Sequence, residues 1–198
     1  MRTLFIDTET TGVVDARLPL EDDAQPHVCQ FAAVLRLDGV EVSAIDLVVN
    51  PGVEIPSGAS DVHGITTERA RLVGVPESAV VGLAYRLVQS CDLVVAHNFD
   101  FDWAVLRIAA QRAGFSRFPR AVRSRCTQVA ATPVLNLPPS ERMVAVGMKG
   151  PKTPKLSEAH ERLCGAPLIG AHDALSDVRG CMAVHDVLER LGAWKEAA

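Results

Sequence analysis

Four acids and one histidine in this chain have the types and spacing to do chemistry together. Asp7 and Glu9 stand two apart in the run Thr3-Leu4-Phe5-Ile6-Asp7-Thr8-Glu9. On a strand, both carboxylates share one face, about 7 Å apart at ~3.3 Å per residue. Asp177 shares a helical stripe with Ala174, Val178, Cys181, Met182 and Leu188, and Asp102 shares one with Val105, Leu106, Ala109 and Ala113. An acid on an apolar stripe points toward the core. Three elements thus drive carboxylates inward, and buried like charges are costly unless they hold a cation or take up protons. Ligation of a hard divalent cation is the economical explanation. The bland alternative is four unrelated acids, each paired with an arginine or capping a helix.

The segments around these residues form ordered motifs. Phe5-Ile6-Asp7-Thr8-Glu9-Thr10-Thr11-Gly12 resembles the first exonuclease motif of the DnaQ-like DEDD superfamily. That group includes the proofreading ε subunit of bacterial replicases, RNase T and oligoribonuclease. Val62-His63-Gly64-Ile65-Thr66 resembles its His-Gly-Ile-Thr segment. His97-Asn98-Phe99-Asp100-Phe101-Asp102 matches the second motif, H-N-x-x-F-D, and His172-Asp173-Ala174-Leu175-Ser176-Asp177 the third, H-x-A-x-x-D. The His-to-Asp spacing indicates the DEDDh subtype. The motifs run in order over nearly the whole chain, and the pattern looks nearest to stand-alone phage or bacterial DnaQ-like exonucleases.

The resemblance implies an α/β, RNase H-like fold: a five-stranded mixed β-sheet flanked by α-helices. It implies a 3′→5′ exonuclease that releases nucleoside 5′-monophosphates, with two divalent cations, Mg²⁺ or Mn²⁺, held by Asp7, Glu9, Asp102 and Asp177, Asp7 bridging. His172 then takes the proton from the attacking water, a role suited to imidazole. Five residues at 100° put His172 about 140° from Asp177 around an ideal helix, so His172 is expected on the loop entering that helix. Thr10, Thr11 and Gly12 are expected to seat the 3′ nucleotide, and His63 and Asn98 to contact substrate. Packing within a loop is the alternative for His63, and local backbone orientation for Asn98; His97 reads as structural. DNA is favoured over RNA as the partner. An RNA-trimming enzyme of the same superfamily, an RNase H-like endonuclease and a non-catalytic interaction module are the other readings.

These residues need a scaffold. Residues 3–8 read as a strand covered on both faces. Residues 28–37 and 40–49 are β-branched runs split by Asp38-Gly39, a hairpin signal. Helices are expected from Thr66 or Thr67 to Val73, from Pro76 to Gln89, from Phe99 to Ala113, over 124–132 ended by Pro133, from Pro154 to Leu163 and from Asp173 to Leu191. Asp92 to Ala96 reads as a further buried strand. Residues 133–153, with four prolines, read as a long irregular loop or a small hairpin. Asp100 falls on a more polar side of its helix than Asp102 and is expected at the surface, paired with Arg107.

Composition bounds the rest. The chain has 198 residues, 48% hydrophobic and 22% charged, with a net charge of −4. Those are globular values and exclude a uniformly basic nucleic-acid coat. Basic residues cluster in 107–125 and 141–155, away from the acidic loop that follows Glu9. Either stretch could track a phosphate backbone or simply face water. Five cysteines at irregular spacing fit a reducing, cytoplasmic compartment. No apolar run approaches the ~20 residues of a membrane span. His160/Cys164 and Cys181/His185 are (i, i+4) pairs that would suit zinc if their helices faced each other; otherwise they are ordinary core and surface residues. The expected domain is 1–192, with 193–198 a short tail. A polymerase partner and a homodimer are both left open.

Overall fold

The computed structural model describes residues 1–194. Its strands are β1 (Arg2–Thr10), β2 (Val28–Leu37), β3 (Val40–Asn50), β4 (Val75–Pro76), β5 (Leu93–Ala96) and β6 (Ser124–Cys126). Its helices are α1 (Ser57–His63), α2 (Thr67–Val73), α3 (Glu77–Ser90), α4 (Phe99–Arg112), α5 (Thr127–Leu135), α6 (Glu141–Ala145), α7 (Leu156–Cys164) and α8 (Ala174–Arg190). They form one mixed sheet in the order β4-β3-β2-β1-β5-β6. β1 runs antiparallel to β2 and parallel to β5, and β5 runs parallel to β6.

The sheet has six strands rather than five. The sixth is the two-residue β4, which pairs Val75 and Pro76 with the end of β3. β6 also corrects an expected element. The run 124–132 is a three-residue edge strand followed by a helix, not one helix. That helix runs on through Pro133 to Leu135. Proline there removes one helical donor near the end of the helix, where few bonds remain to lose. Residues 133–153 are largely exposed and hold the short α6.

The hairpin is as expected. Asp38 and Gly39 both take positive φ, 49° and 86°, the backbone a type I′ turn needs.

Alternation along β1 divides the molecule into two layers. Leu4 and Ile6 pack with α3 and α4 through Val80, Val81, Ala84, Leu106 and Ala109. Phe5 faces the other way and packs with Ala32, Val34, Val178, Cys181 and Met182 under α8. Asp7 and Glu9 continue the Phe5 face by the two-residue period, and Thr8 continues the Leu4–Ile6 face. β5 ends at Ala96, opposite the middle of β1, and β1 carries on to Thr10. The last turns of β1 therefore stand at the carboxyl ends of the parallel strands, where α/β sheets open a crevice. Ala193 and Trp194, counted above as tail, pack beside α8, Trp194 lying against His185. Residues 195–198 of the expected tail lie outside the described residues.

Candidate active site

The crevice gathers acids from both layers. Glu9 and Asp177 bring carboxylate oxygens, and His172 a ring nitrogen, within 4.8 Å of one another. Asp7 and Asp102 stand beside this group, close enough for each acid to resist the others' ionisation. Loss of solvent, then the negative field of Asp102, Asp177 and Glu9, holds the Asp7 carboxyl well above the usual carboxylate range. Loss of solvent, with Asp177 and Asp102 nearby, pushes Glu9 up to about 7. Burial raises Asp102 and Asp177 as well.

Asp102 arrives from the opposite layer. It lies in the first turn of α4 and is 2% exposed. Its Oδ1 accepts from both the Thr8 amide (2.9 Å) and the Thr8 hydroxyl (2.8 Å). Thr8 thus fixes Asp102 against β1 between Asp7 and Glu9, and spends only one of the two oxygens. Sequence reasoning missed Thr8. The signal available was a hydroxyl residue on the inward face of an otherwise apolar strand.

His172 sits where the 140° argument put it, two residues before α8. Its φ is 68°, a conformation that costs a non-glycine residue about 1–3 kcal/mol. Its amide donates to Asp177 Oδ2 at 3.1 Å. Asp177 Oδ1 is buried with no hydrogen-bond partner among the described residues.

Of the expected substrate contacts, Thr10, Thr11 and Gly12 directly follow Glu9, and Asn98 directly precedes α4. Thr10 Oγ1 donates to Gly12 O at 2.6 Å, and Thr11 Oγ1 accepts from the His27 amide at 2.9 Å. Together they set the turn that leaves β1. His63 ends α1, beside Thr10 and His172. Its Nδ1 accepts from the Ile65 amide at 3.1 Å, and its buried Nε2 has no partner among the described residues. Asn98 caps α4 by its backbone in left-handed conformation (φ 67°), with its side chain unused for capping. His97 is structural: its ring joins Thr127 Oγ1 (2.9 Å) and Pro154 O (3.1 Å), and burial pushes it down to about 4.

One expectation fails. Asp100 is exposed, but among the described residues it forms no ion pair with Arg107. The His160/Cys164 and Cys181/His185 pairs are the ordinary core and surface residues of the alternative reading, and among the described residues they do not assemble into a zinc site. His160 binds the Ala166 carbonyl, Cys181 is buried against Thr127, and His185 packs edge-on to Phe5.

The donor set fits a divalent cation. Among the described residues, no lysine or arginine pairs with Asp7, Glu9, Asp102 or Asp177. The partnerless Asp177 oxygen has the full cost of an unmatched buried acceptor, which a cation would relieve. Carboxylate oxygens suit Mg²⁺ or Mn²⁺.

The acid shifts fix the sign of a pH effect. Glu9 keeps its proton up to about 7 when folded but only to about 4.3 when unfolded. Between those values the folded chain binds more protons, so metal-free stability falls as pH rises. Cations bind the ionised form and restore that loss. Added Mn²⁺ is therefore expected to raise the melting temperature, relative to EDTA, more at about pH 8 than at about pH 5. His97 acts in the opposite sense below about pH 6.5 but is common to both arms. Equal shifts at the two pH values would count against carboxylate ligation.

Similarity to known proteins agrees with this geometry. The exonuclease family of RNase T matches residues 4–185. A DNA polymerase III subunit epsilon-like protein of Rhodobacter capsulatus is 38% identical over 106 residues, 52% of this chain and 14% of that protein. An uncharacterized exonuclease of Escherichia phage 186 is 29% identical over 198 residues, covering 96% of this chain and 89% of the phage protein. Escherichia coli Exonuclease I, solved with a dT13 oligonucleotide, shares the fold at a TM-score of 0.70 and 22% identity, over 96% of this chain and 42% of that one. The chain thus spans less than half the length of the Rhodobacter relative and of Exonuclease I. With the family match running from the first strand into the last helix, and the four acids and His172 gathered in one crevice, the chain belongs to the RNase T exonuclease family, in the DnaQ-like DEDDh superfamily.

Proposed function

We propose that this chain is a metal-dependent 3′→5′ exonuclease that removes nucleoside 5′-monophosphates from the 3′ end of single-stranded or frayed DNA. One observation carries the reading: Asp177, whose buried Oδ1 has no partner among the described residues, brings a carboxylate oxygen within reach of Glu9 and His172, among acids that no described cationic side chain neutralises. Asp7, Glu9, Asp102 and Asp177 hold the ions. Two bound Mg²⁺ or Mn²⁺ ions would supply Lewis acidity to the attacking and leaving oxygens of the phosphodiester. His172 accepts the proton of the attacking water. Thr10, Thr11 and Gly12 support the terminal nucleotide, His63 Nε2 meets its phosphate, and Asn98 borders the same opening.

Arginines support a nucleic-acid track. Arg107 and Arg120 line an open cavity of about 370 Å³ with Phe99, Asp100 and Trp103, next to Asn98. Among the described residues neither forms an ion pair, so both are available to phosphates. The DNA assignment is supported by the two named relatives that concern DNA, the epsilon-like protein and Exonuclease I with its oligonucleotide. RNA is the competing substrate. All five cysteines are free, in keeping with a reducing cytoplasm, and no described helix is long and apolar enough to cross a membrane.

One gel tests the reading. DNA and RNA oligomers labelled at either end, single- and double-stranded, are incubated with Mg²⁺, Mn²⁺ or EDTA. We expect stepwise shortening of 5′-labelled single-stranded DNA and release of mononucleotide from its 3′ label, with both absent in EDTA. Full activity in excess EDTA, or shortening from the 5′ end, would overturn it. Faster degradation of RNA would replace the substrate and keep the chemistry.

A further inference from the structure

His172 is held in a left-handed conformation on the loop before α8. A left-handed histidine persists only where its surroundings over-determine it. The Asp177 carboxylate holds the His172 amide from one side, but that carboxylate is itself placed by α8. The start of α8 must therefore be anchored by something outside the helix.

Gln30 is that anchor. It lies on β2 directly across from Glu9, in the register Glu9↔Gln30, and is 4% exposed. By the two-residue alternation it shares a face with Ala32 and Val34, the face that α8 covers. Its Oε1 accepts from the Ala174 amide at 3.2 Å, the first residue of α8. Its Nε2 donates to Asp173 Oδ2 at 3.1 Å and to Asp46 Oδ1 at 2.8 Å. Asp173 is the N-cap of α8, and its other oxygen accepts from the Ser176 amide at 3.0 Å. Two carboxylates and one amide leave the Gln30 side chain a single consistent orientation. The amide thus grips the cap and the first turn of α8 at once, on the strand next to the one that carries Glu9. His172 immediately precedes the gripped residue.

We propose that Gln30, acting through Asp173, is a positioning residue for His172: it fixes the start of α8 to β2 and so sets the distance between the His172 imidazole and Glu9. The inference rests on the proposed role of His172. Gln30 is not among the residues proposed to hold the ions or the substrate, and its side chain is taken up by Asp46, Asp173 and Ala174. It acts on geometry, and a displacement of about 1 Å at a reacting group can cost ~10²-fold in rate.

The test is a double-mutant cycle on the full chain. Gln30→Met keeps length and volume and loses all three hydrogen bonds. Asp173→Ser keeps a capping oxygen for Ser176 but is too short for Gln30; the side chain is only half-buried at the N-cap of α8, and the variant secures the test if Gln30→Met fails to fold. Each change is expected to lower kcat about 10–100-fold, with KM within about twofold. Added to His172→Ala, neither should lower kcat further, because groups that act as a unit are not additive. In NMR hydrogen exchange, the His172 amide should lose protection in both variants while the amides of β1 and β2 keep theirs. Wild-type kcat in a folded Gln30→Met protein, or full additivity with His172→Ala, would overturn the proposal. Wild-type activity of His172→Ala alone would instead bring down the reading on which it rests.

Discussion

Asp102→Asn is expected to abolish nearly all turnover, whereas Asp100→Asn, two residues earlier, is expected to cost at most about tenfold. The two acids follow the same His97-Asn98 pair, and either could be mistaken for a ligand. The fold separates them. Asp102 is buried, and Thr8 holds its Oδ1 twice. An asparagine there can keep both Thr8 bonds with its carbonyl oxygen. It then turns an NH₂ group, with no negative charge, toward the place proposed for the ions. Loss of a charged ligand in a low-dielectric site is worth several kcal/mol, or ~10³-fold or more in rate. Asp100 is exposed at the edge of the arginine-lined cavity and has no ion pair to lose among the described residues. Its effect is confined to solvent-screened attraction or repulsion of the approaching strand, on the scale of a surface charge, roughly 0–1 kcal/mol. Measuring kcat for both variants at saturating Mg²⁺ decides the matter. A dead Asp100→Asn protein beside an active Asp102→Asn protein would place the ligand on the wrong side of α4.

The inward direction of Asp102 and Asp177 was readable because helical periodicity ties each to a stripe of apolar neighbours. Asp7 and Glu9 were readable because a strand alternates strictly. The hairpin was readable because Asp38-Gly39 can take two positive φ angles. What the sequence hid was of two kinds. β4 and β6 are two and three residues long, too short to show any period, and β6 runs straight into a helix. The three residues Ser124–Cys126 therefore read as its first turn. Pro133 looked like a stop signal, but a proline near a helix end removes little. The second kind is contact between elements far apart in sequence. Thr8 and Asp102 are 94 positions apart, and Gln30 and Asp173 are 143 apart. Local pattern says that Thr8 and Gln30 are polar residues in buried strands, which demands partners. It does not say which partners. The absent Asp100–Arg107 pair is the converse case: helical spacing brought the two residues to one side, but exposed side chains are not obliged to meet.

His172→Ala is expected to lower kcat by about 10²–10⁴, the usual contribution of a positioned general base, while divalent-cation affinity stays near that of the parent protein. The geometry supports this role through three features. His172 lies outside the helix, so its ring direction is set by the loop backbone rather than by the helical stripe that aims Asp177 inward. It is exposed, so water reaches the ring. Its amide, not its ring, makes the bond to Asp177, and among the described residues neither ring nitrogen is taken up by a hydrogen bond. The competing role is also visible: a ring nitrogen lies within 4.8 Å of the Glu9 and Asp177 oxygens, near enough to join them around one ion. The two roles make opposite predictions for binding. A base lost to alanine removes a proton acceptor and leaves the carboxylate set intact, so Mn²⁺ titrations of parent and variant should coincide while turnover collapses. A ligand lost to alanine weakens Mn²⁺ binding in step with turnover, and excess metal then restores part of the rate. Calorimetric titration of Mn²⁺ beside kcat measured across Mn²⁺ concentrations distinguishes them. If metal affinity and rate fall together, and the rate recovers with added Mn²⁺, His172 belongs among the ligands and the proton must leave the water by another route.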